Sequence, residues 1–244
     1  MRDGLLTIVL FLALVGCERS NINSVGDSEA LFEAIKAKDV ATVKSIVESR
    51  TVDLDPPRLP NQNNKALVYA SAYGNLEIVE IILKEGVDIN GQGAYGQGAY
   101  GDVAMIKAAE HGNQDIIDHL ISSGADVNQP NVFGVTPFIG FCGGDDVDLV
   151  RRCIEKGGKI NDSFIQQTGA GKGQRNNTAL QTAVSFGRIE IVRLLIANGG
   201  DPMLRDGGGS TCVELARQKN FPDVVELLES TQQSVPPKSD RAGG

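Results

Sequence analysis

Two glycine-rich stretches are the parts of this sequence whose residue types and spacing could bind a nucleotide. Residues 91–96 and their copy 96–101 each spell G-x-G-x-x-G, a spacing that lets the backbone approach a pyrophosphate between a strand and a helix. The flanking sequence predicts neither a preceding strand nor a βαβ unit, so a slipped duplication of GQGAY in a flexible loop explains the pattern better. Residues 169–173, GAGKG, lack the Ser or Thr that follows Lys in a phosphate-binding loop. We therefore predict no cofactor.

The two histidines, His111 and His119, are the residues that could bind a metal, together with the nearby carboxylates Glu110, Asp115 and Asp118. The helical periodicity places His111 at the end of one helix and His119 on the next helix, near the opposite side of the pair. A metal shared by both is therefore not expected. No Ser or Cys has a plausible base beside it, so a nucleophilic triad finds no support. We predict neither a metal site nor enzymatic activity.

Three cysteines, Cys142, Cys153 and Cys212, lie in the part of the chain with helical periodicity. Cys packs as a small apolar residue, so a place in the core is one interpretation. An oxidising compartment would also permit a disulfide between Cys142 and Cys153, which belong to two paired helices and both face their core. Helix pairs often hold Cα atoms farther apart than the roughly 4.4–6.8 Å that a disulfide allows. Both interpretations stay open.

A helix pair at residues 66–90 is the unit that must position such residues. Leu67 and Ala70 lie on one face of a first helix, and Gly74 is expected to end that helix in the left-handed conformation. Residues 78–83 carry the apolar stripe of a second helix. A pair this short cannot bury its own apolar face, so it needs neighbours of the same shape.

The unit recurs along the chain. In three copies a second glycine follows the first by 12 residues, at Gly74–Gly86, Gly112–Gly124 and Gly187–Gly199. This spacing, the closing sequence GADVN at residues 124–128 and the opening sequence GVTPF at residues 134–138 resemble the ankyrin repeat. The resemblance covers roughly residues 28–230 and implies an all-α ankyrin-repeat solenoid of about six helix pairs with β-hairpin-like fingers.

The resemblance also implies where a partner binds. Ankyrin fingers project on the concave side beside the first helix of each pair, and two of them, at residues 91–100 and 162–177, are longer than usual. Exposed aromatic residues on one face indicate a binding patch. The partner-binding residues expected on this side are Tyr73, Tyr95, Tyr100, His111, Phe133, Arg175 and Phe186. The alternative is that some of them fold back and cover the array.

The net charge of −8 argues against a nucleic-acid partner, which requires a basic face. Acidic residues such as Glu77, Asp118 and Glu190 fall on outer helix positions, where their simplest role is solubility. We predict a monomer whose partner is another protein in the periplasm or envelope.

Residues 1–17 have the pattern of an export signal. One Arg precedes an apolar run over residues 5–15, which is too short to span a bilayer and about right for a signal-peptide core. Residues 14–17, LVGC, resemble the lipobox of bacterial lipoproteins. That resemblance implies cleavage before Cys17, a diacylglycerol on its sulfur and acylation of its new amino group. An ordinary secretory signal with an incidental Cys17 is the alternative.

The lipoprotein resemblance also divides the chain and places it in the cell. The expected parts are a signal peptide at residues 1–16, a lipidated linker at 17–27, the repeat domain at 28–230 and a tail at 231–244 that is disordered by composition. Glu18 follows Cys17, whereas Gram-negative lipoproteins kept in the inner membrane usually carry Asp there. The periplasmic face of the outer membrane is therefore expected, with the inner membrane or the soluble periplasm as alternatives.

These features predict a membrane-tethered, periplasmic protein-binding module that acts through the concave face and long fingers of an ankyrin array. Two roles stay open: an accessory factor for a neighbouring envelope protein, and an immunity protein that neutralises a toxin or effector at the envelope. A rigid repeat surface suits either role because it loses little entropy on binding. An enzyme or a nucleotide-binding protein is less favoured, since no catalytic constellation supports it.

Overall fold

The computed structural model describes residues 24–54, 66–93, 103–131, 133–163 and 177–233. Within them the helices are α1 Ser24–Lys36, α2 Val40–Ser49, α3 Ala66–Tyr73, α4 Leu76–Lys84, α5 Ala104–Glu110, α6 Gln114–Ser122, α7 Pro137–Phe141, α8 Val147–Glu155, α9 Ala179–Ser185, α10 Ile189–Ala197, α11 Cys212–Gln218 and α12 Pro222–Gln233. The predicted all-α class is confirmed. None of these helices is both long and apolar enough to cross a membrane, a statement that covers the described residues alone.

The helices pair in chain order, from α1 with α2 to α11 with α12. We call the first helix of each pair the inner helix and the second the outer helix. The chain divides into two compact units, an N-terminal unit of residues 1–125 and a C-terminal unit of residues 126–244. In the N-terminal unit α3 packs against α1 and α5, and α4 packs against α2 and α6. In the C-terminal unit α9 packs against α7 and α11, and α10 packs against α8 and α12.

Aliphatic side chains fill the core of each unit. Ile78 and Ile82 of α4 and Leu120 of α6 are fully buried in the N-terminal unit, and Leu180 of α9 and Leu195 of α10 are fully buried in the C-terminal unit. These buried residues belong to the apolar helix faces that the sequence predicts. Each short helix is stabilised by its neighbours, because an isolated helix of seven to nine residues is marginal in water.

The corner between inner and outer helix is where glycine matters. Gly112 and Gly187 adopt positive φ angles of 70° and 67° and close their inner helices as predicted. Asn220 adopts the same conformation, with φ of 60°. Gly74 also follows the end of its inner helix, but the prediction that it adopts the left-handed conformation is wrong, since its φ is not positive. A Cβ there would lie 2.7 Å from the carbonyl oxygen of Ala70, so close approach explains this glycine.

Asparagine side chains bond one helix pair to the next within the C-terminal unit. Asn128 donates from Nδ2 to the carbonyl oxygen of Gly157 at 3.1 Å and accepts from the backbone N–H of Lys159 at 2.9 Å. Asn161 makes the equivalent bonds, to Gly199 at 2.8 Å and from Asp201 at 2.8 Å. Asn128 closes the GADVN sequence, so this motif fixes the repeat-to-repeat spacing.

Candidate protein-binding surface

Each inner helix has one face made by the same three positions in every repeat. This face is formed by residues five, two and one positions before the corner residue, a spacing that puts them on the same side of a helix. The corner residues are Gly74, Gly112, Asp145, Gly187 and Asn220. We call these the groove positions. They are Tyr69, Ala72 and Tyr73 for α3; Lys107, Glu110 and His111 for α5; Gly140, Gly143 and Gly144 for α7; Thr182, Ser185 and Phe186 for α9; and Leu215, Gln218 and Lys219 for α11.

In the N-terminal unit the groove positions carry an aromatic ladder. The ring centroid of Tyr69 lies 4.9 Å from that of Phe32 in α1 and 5.0 Å from that of Tyr73. Tyr73 in turn lies 4.8 Å from the ring of His111, edge to face. Each such aromatic pair contributes about 0.5–1.5 kcal/mol beyond its buried area. The ladder therefore joins three inner helices and covers the face with side chains.

Lys107 and His111 complete this covered face. The Lys107 side chain is only 9% exposed, and its ammonium group lies 2.8 Å from a carboxylate oxygen of the half-exposed Glu110. The Nδ1 of His111 lies 3.0 Å from the carbonyl oxygen of Lys107. A carbonyl only accepts, so Nδ1 carries the hydrogen and donates it, which fixes the ring orientation.

In the C-terminal unit the groove positions of α7 leave an open slot. Its volume is about 740 Å³. The described residues that line it are Val135, Ile139, Gly140, Gly143, Gly144, Asn177, Thr182, Phe186, Asp206, Gly207 and Gly208. Phe186 is 58% exposed, one of two large apolar side chains among the described residues that are mainly in solvent. The slot is concave, apolar on one wall and open to a partner.

The slot exists because all three groove positions of α7 are glycine. A Cβ on Gly140 would meet no atom within 4 Å, so the space above this residue is empty. A Cβ on Gly143 would lie 3.1 Å from the ring of Phe186, so that ring rests on bare backbone. The floor is therefore main chain, and Phe186 forms a wall.

Arg188 holds the floor in place. Its Nε donates to the carbonyl oxygen of Gly143 at 2.9 Å, and its guanidinium also pairs with the exposed carboxylate of Asp145. Since Arg188 follows the corner of α9 and Gly143 follows α7, these bonds tie the two corners together. They position Phe186 over the glycine floor.

Two fingers of the C-terminal unit contain the same type of hydrogen-bonded turn. Asn131 donates its backbone N–H to Val135 at 2.9 Å, and its Oδ1 accepts from the backbone N–H groups of Phe133 and Val135 at 3.0 Å each. Asp206 repeats the pattern with Ser210, and its Oδ1 accepts from Gly208 at 2.9 Å and Ser210 at 2.8 Å. The second finger thereby carries a carboxylate at the edge of the slot.

Comparison with known proteins identifies this architecture. The family model described as "Ankyrin repeats (3 copies)" matches residues 1–92 and 105–206. The chain belongs to the ankyrin-repeat family. The groove positions of these ankyrin repeats are thus the face that the sequence resemblance assigned to partner binding, and the ankyrin part of the predicted fold is confirmed.

The similar proteins differ widely in size. The ankyrin repeat and KH domain-containing protein mask-1 of Caenorhabditis elegans is 31% identical over 98% of this chain, which spans 7% of that protein. The putative E3 ubiquitin-protein ligase XBAT34 of Arabidopsis thaliana is 32% identical over 40% of this chain and 24% of its own length. The chain thus spans a small part of these relatives.

A solved structure shares the ankyrin fold. It is a chain of the complex between the predatory endopeptidase Bd0816 of Bdellovibrio bacteriovorus and the immunity protein Bd3460. The TM-score is 0.65 at 23% identity, and the match covers 82% of this chain and 97% of that chain. Identity this low shows the fold alone.

The predicted partner-binding residues fall in three places. Tyr73 and His111 meet in the aromatic ladder, Phe186 lines the slot, and Phe133 lies in the Asn131 finger, half-buried. Tyr95, Tyr100 and Arg175 lie outside the described residues. That these residues bind a partner stays a prediction.

Some residues of this surface are not among those that the sequence predicts. Phe32 and Tyr69 belong to the ladder, and the glycines of α7 and the carboxylate of Asp206 shape the slot. Aligning the repeats on their corner residues places Tyr69, Gly140 and Thr182 at one position, a signal that is present in the sequence itself.

The disulfide that the sequence leaves open between Cys142 and Cys153 is not formed in this structure. Cys142 and Cys153 are free, fully buried thiols, and Cys212 is likewise free and buried. Burial raises the pKa of the Cys142 thiol far above its usual value, and the nearby Cys153 adds to the rise. Burial likewise raises the pKa of Cys153 and of Cys212 to about 12. Thiols held neutral in the core act as small apolar residues.

Proposed function

We propose that this ankyrin-repeat protein is a membrane-tethered module of the cell envelope that binds another protein through its groove positions. Ankyrin repeats are protein-binding scaffolds, so the general role follows from the family. The finer proposal adds the surface, the anchor and the cellular place.

The open slot of the C-terminal unit is the observation that carries the proposal. Phe186 projects from the end of an inner helix with 58% of its surface exposed, beside a concavity of about 740 Å³. An exposed aromatic side chain beside a concave surface with a polar rim is typical of a protein-interaction site. Aromatic side chains at the centre of such concavities supply much of the binding energy in protein interfaces.

The LVGC sequence at residues 14–17 supports the anchor. Lipidation of Cys17 would hold the repeats near the periplasmic face of the outer membrane. The predicted linker ends earlier than residue 27, because α1 begins at Ser24, so residues 18–23 reach about 20 Å when extended. The chain would then meet its partner at the membrane surface. An inner-membrane or soluble periplasmic location is the alternative.

Within this proposal, the role we favour is that of an accessory factor for a neighbouring envelope protein. A specific observation favours a second role, neutralisation of a toxin or effector. The solved complex that shares this fold pairs an endopeptidase with an immunity protein. Co-expression with the captured partner separates the two roles, because an accessory factor raises the partner's activity and an immunity protein suppresses its toxicity.

Capture from envelope extract with the full chain as bait tests the binding proposal. The informative variant is Phe186→Ala, and the matched control is Met203→Ala, since Met203 is 59% exposed but does not line the slot. We expect the Phe186 variant to lose at least about fivefold in affinity for the captured protein. Equal affinity of the two variants and the unaltered chain would contradict the proposal.

Metabolic labelling with radioactive palmitate tests the anchor. We expect the unaltered chain to carry label and to fractionate with membranes. Cys17→Ser should abolish both the label and the membrane fractionation. Membrane fractionation of an unlabelled natural chain would instead refute lipidation.

A further inference from the structure

The first glycine of the slot floor, Gly140, is not required by the local backbone. Gly140 lies inside α7 without a positive φ, and a Cβ there would meet no atom within 4 Å. Glycine inside a helix makes the helix less stable than alanine does. The equivalent positions of the other inner helices in the C-terminal unit carry Thr182 and Leu215. The missing side chains leave room for a group that comes from outside.

The slot favours a positively charged group. Among the described residues that line it, Asp206 is the only charged one. Among the described residues, the two arginines nearest to the slot in sequence are engaged elsewhere. Arg188 bonds to Gly143 and Asp145, and Arg205 donates to the carbonyl oxygen of Gly209 at 2.6 Å and lies 3.5 Å from Glu214.

The charge of Asp206 is not needed to fold its finger. Its Oδ1 accepts two backbone N–H groups, and the neutral Asn131 does the same work in the preceding finger. Its Oδ2 accepts no hydrogen bond from the described residues. The carboxylate therefore presents one oxygen and one negative charge that the turn itself does not use.

Phe186 supplies the third element of the slot. Its ring rests against the backbone of Gly143, and most of its surface remains open. The face of an aromatic ring attracts a cation, and the planar guanidinium of arginine stacks on it better than the compact ammonium of lysine. A flat cation could contact both the ring and the carboxylate that line this slot.

We propose that the slot is the receptor for one arginine side chain on a protruding loop of the partner protein. The aliphatic stem of that arginine lies along the glycine floor, and its guanidinium stacks on Phe186 and donates to Asp206. This inference rests on the proposed function, because it names the chemistry of the partner at the same surface.

Titration of the full chain with two peptides that differ only in charge tests the inference. The probe is acetyl-Gly-Arg-Gly-amide, and its matched control contains citrulline, which keeps the shape of arginine and lacks the charge. Amide chemical shifts of Gly140, Gly143, Gly144 and Gly208 report binding. We expect the arginine peptide to bind about tenfold more tightly than the citrulline peptide. Equal binding by the citrulline peptide would overturn the inference. Equal binding by a third peptide, with lysine in place of arginine, would overturn it too, because the ring and carboxylate are expected to prefer the planar guanidinium.

Two matched pairs of variants test the slot itself. Asp206→Asn keeps the turn and should lower affinity for the arginine peptide about threefold or more, whereas Asp201→Asn makes the same charge change outside the slot and should not. Gly140→Leu fills the slot and should weaken binding at least tenfold. Ala197→Leu, on the exposed end of α10, should leave binding unchanged. If the members of either pair behave alike, the arginine is bound elsewhere.

The two proposals fail in different ways. If binding of the captured protein depends on Phe186 but the arginine and citrulline peptides bind with equal affinity, the arginine inference is wrong and the proposed function stands. If the arginine peptide binds in the slot but no captured protein depends on Phe186, the proposed function is contradicted and the chemistry of the slot is not.

Discussion

The groove positions of the two units occupy equivalent places in the repeat, but they are covered by side chains in one unit and open in the other. In the N-terminal unit, Tyr69, Tyr73 and His111 form a ladder of contacting rings that covers the inner helices. In the C-terminal unit, the positions that match Tyr69 and Tyr73 are Gly140 and Gly144, and the face is open.

This difference shows that the same helix position can either close a repeat surface or open it. Tyr73 and Phe186 both stand one residue before a corner glycine, yet Tyr73 contacts two rings and Phe186 is mainly in solvent. What decides the outcome is the neighbouring repeat. His111 meets Tyr73 from the next inner helix, whereas the Phe186 ring rests on the backbone of Gly143, which carries no side chain.

The comparison assumes that the two units share one kind of core. Leu120 and Leu195 occupy equivalent positions eight residues after the corner glycine, and both are fully buried. We expect Leu120→Ala and Leu195→Ala each to lower the free energy of unfolding by about 2–5 kcal/mol, as measured by urea titration. The exposed Glu190, changed to Ala, is the control and should change stability by less than about 0.5 kcal/mol.

A large loss of stability for the leucine variant of one unit and a small loss for that of the other would show that the two cores are not equivalent. The contrast in surface would then reflect a difference in core packing. A loss in Glu190→Ala as large as that in Leu195→Ala would mean that the assigned helix faces are wrong.

The corner glycines sharpen the comparison, because they share a conformation and differ in surroundings. A Cβ on Gly112 would meet no atom within 4 Å, whereas a Cβ on Gly187 would lie 2.8 Å from the Phe221 ring. Gly112→Ala should cost about 1–2 kcal/mol, the strain of a left-handed alanine. Gly187→Ala should cost about 1–3 kcal/mol more, because the ring must move. Thermal unfolding measures both, and equal costs would show that Phe221 yields freely.

Much of this fold could be predicted from the sequence, because the apolar stripes and corner glycines carry the repeat in local spacing. The surface could not be predicted in the same way. Whether Tyr73 is stacked or free depends on Tyr69 of its own helix and on His111 of the next inner helix, which lies far from Tyr73 in the chain. The prediction for Gly74 is wrong for a related reason, since its contact with Ala70 is a matter of packing distance.

The aromatic residues themselves provide the next test. Tyr73→Leu removes two ring contacts and should lower the free energy of unfolding by about 1–3 kcal/mol. Phe186→Leu removes no aromatic pair found among the described residues, and its stability should stay within about 0.5 kcal/mol of the natural chain. Chemical denaturation of both variants provides the measurement. A loss in Phe186→Leu equal to that in Tyr73→Leu would mean that Phe186 is structural and that the slot wall is part of the core.

Gly140→Ala has the smallest expected effect on the free energy of unfolding. The informative result is whether the variant is more or less stable than the natural chain. Open space surrounds the new methyl group, and alanine is the better helix former, so the variant should be as stable as the natural chain or more stable by up to about 1 kcal/mol. The same methyl group narrows the slot and should weaken binding of the arginine peptide. A glycine that lowers helix stability and raises binding would mark the floor as a functional feature of α7. Denaturation and peptide titration of Gly140→Ala measure the two effects. A loss of more than about 1 kcal/mol in the free energy of unfolding would show that the fold needs glycine at this position. The slot would then be a by-product of packing.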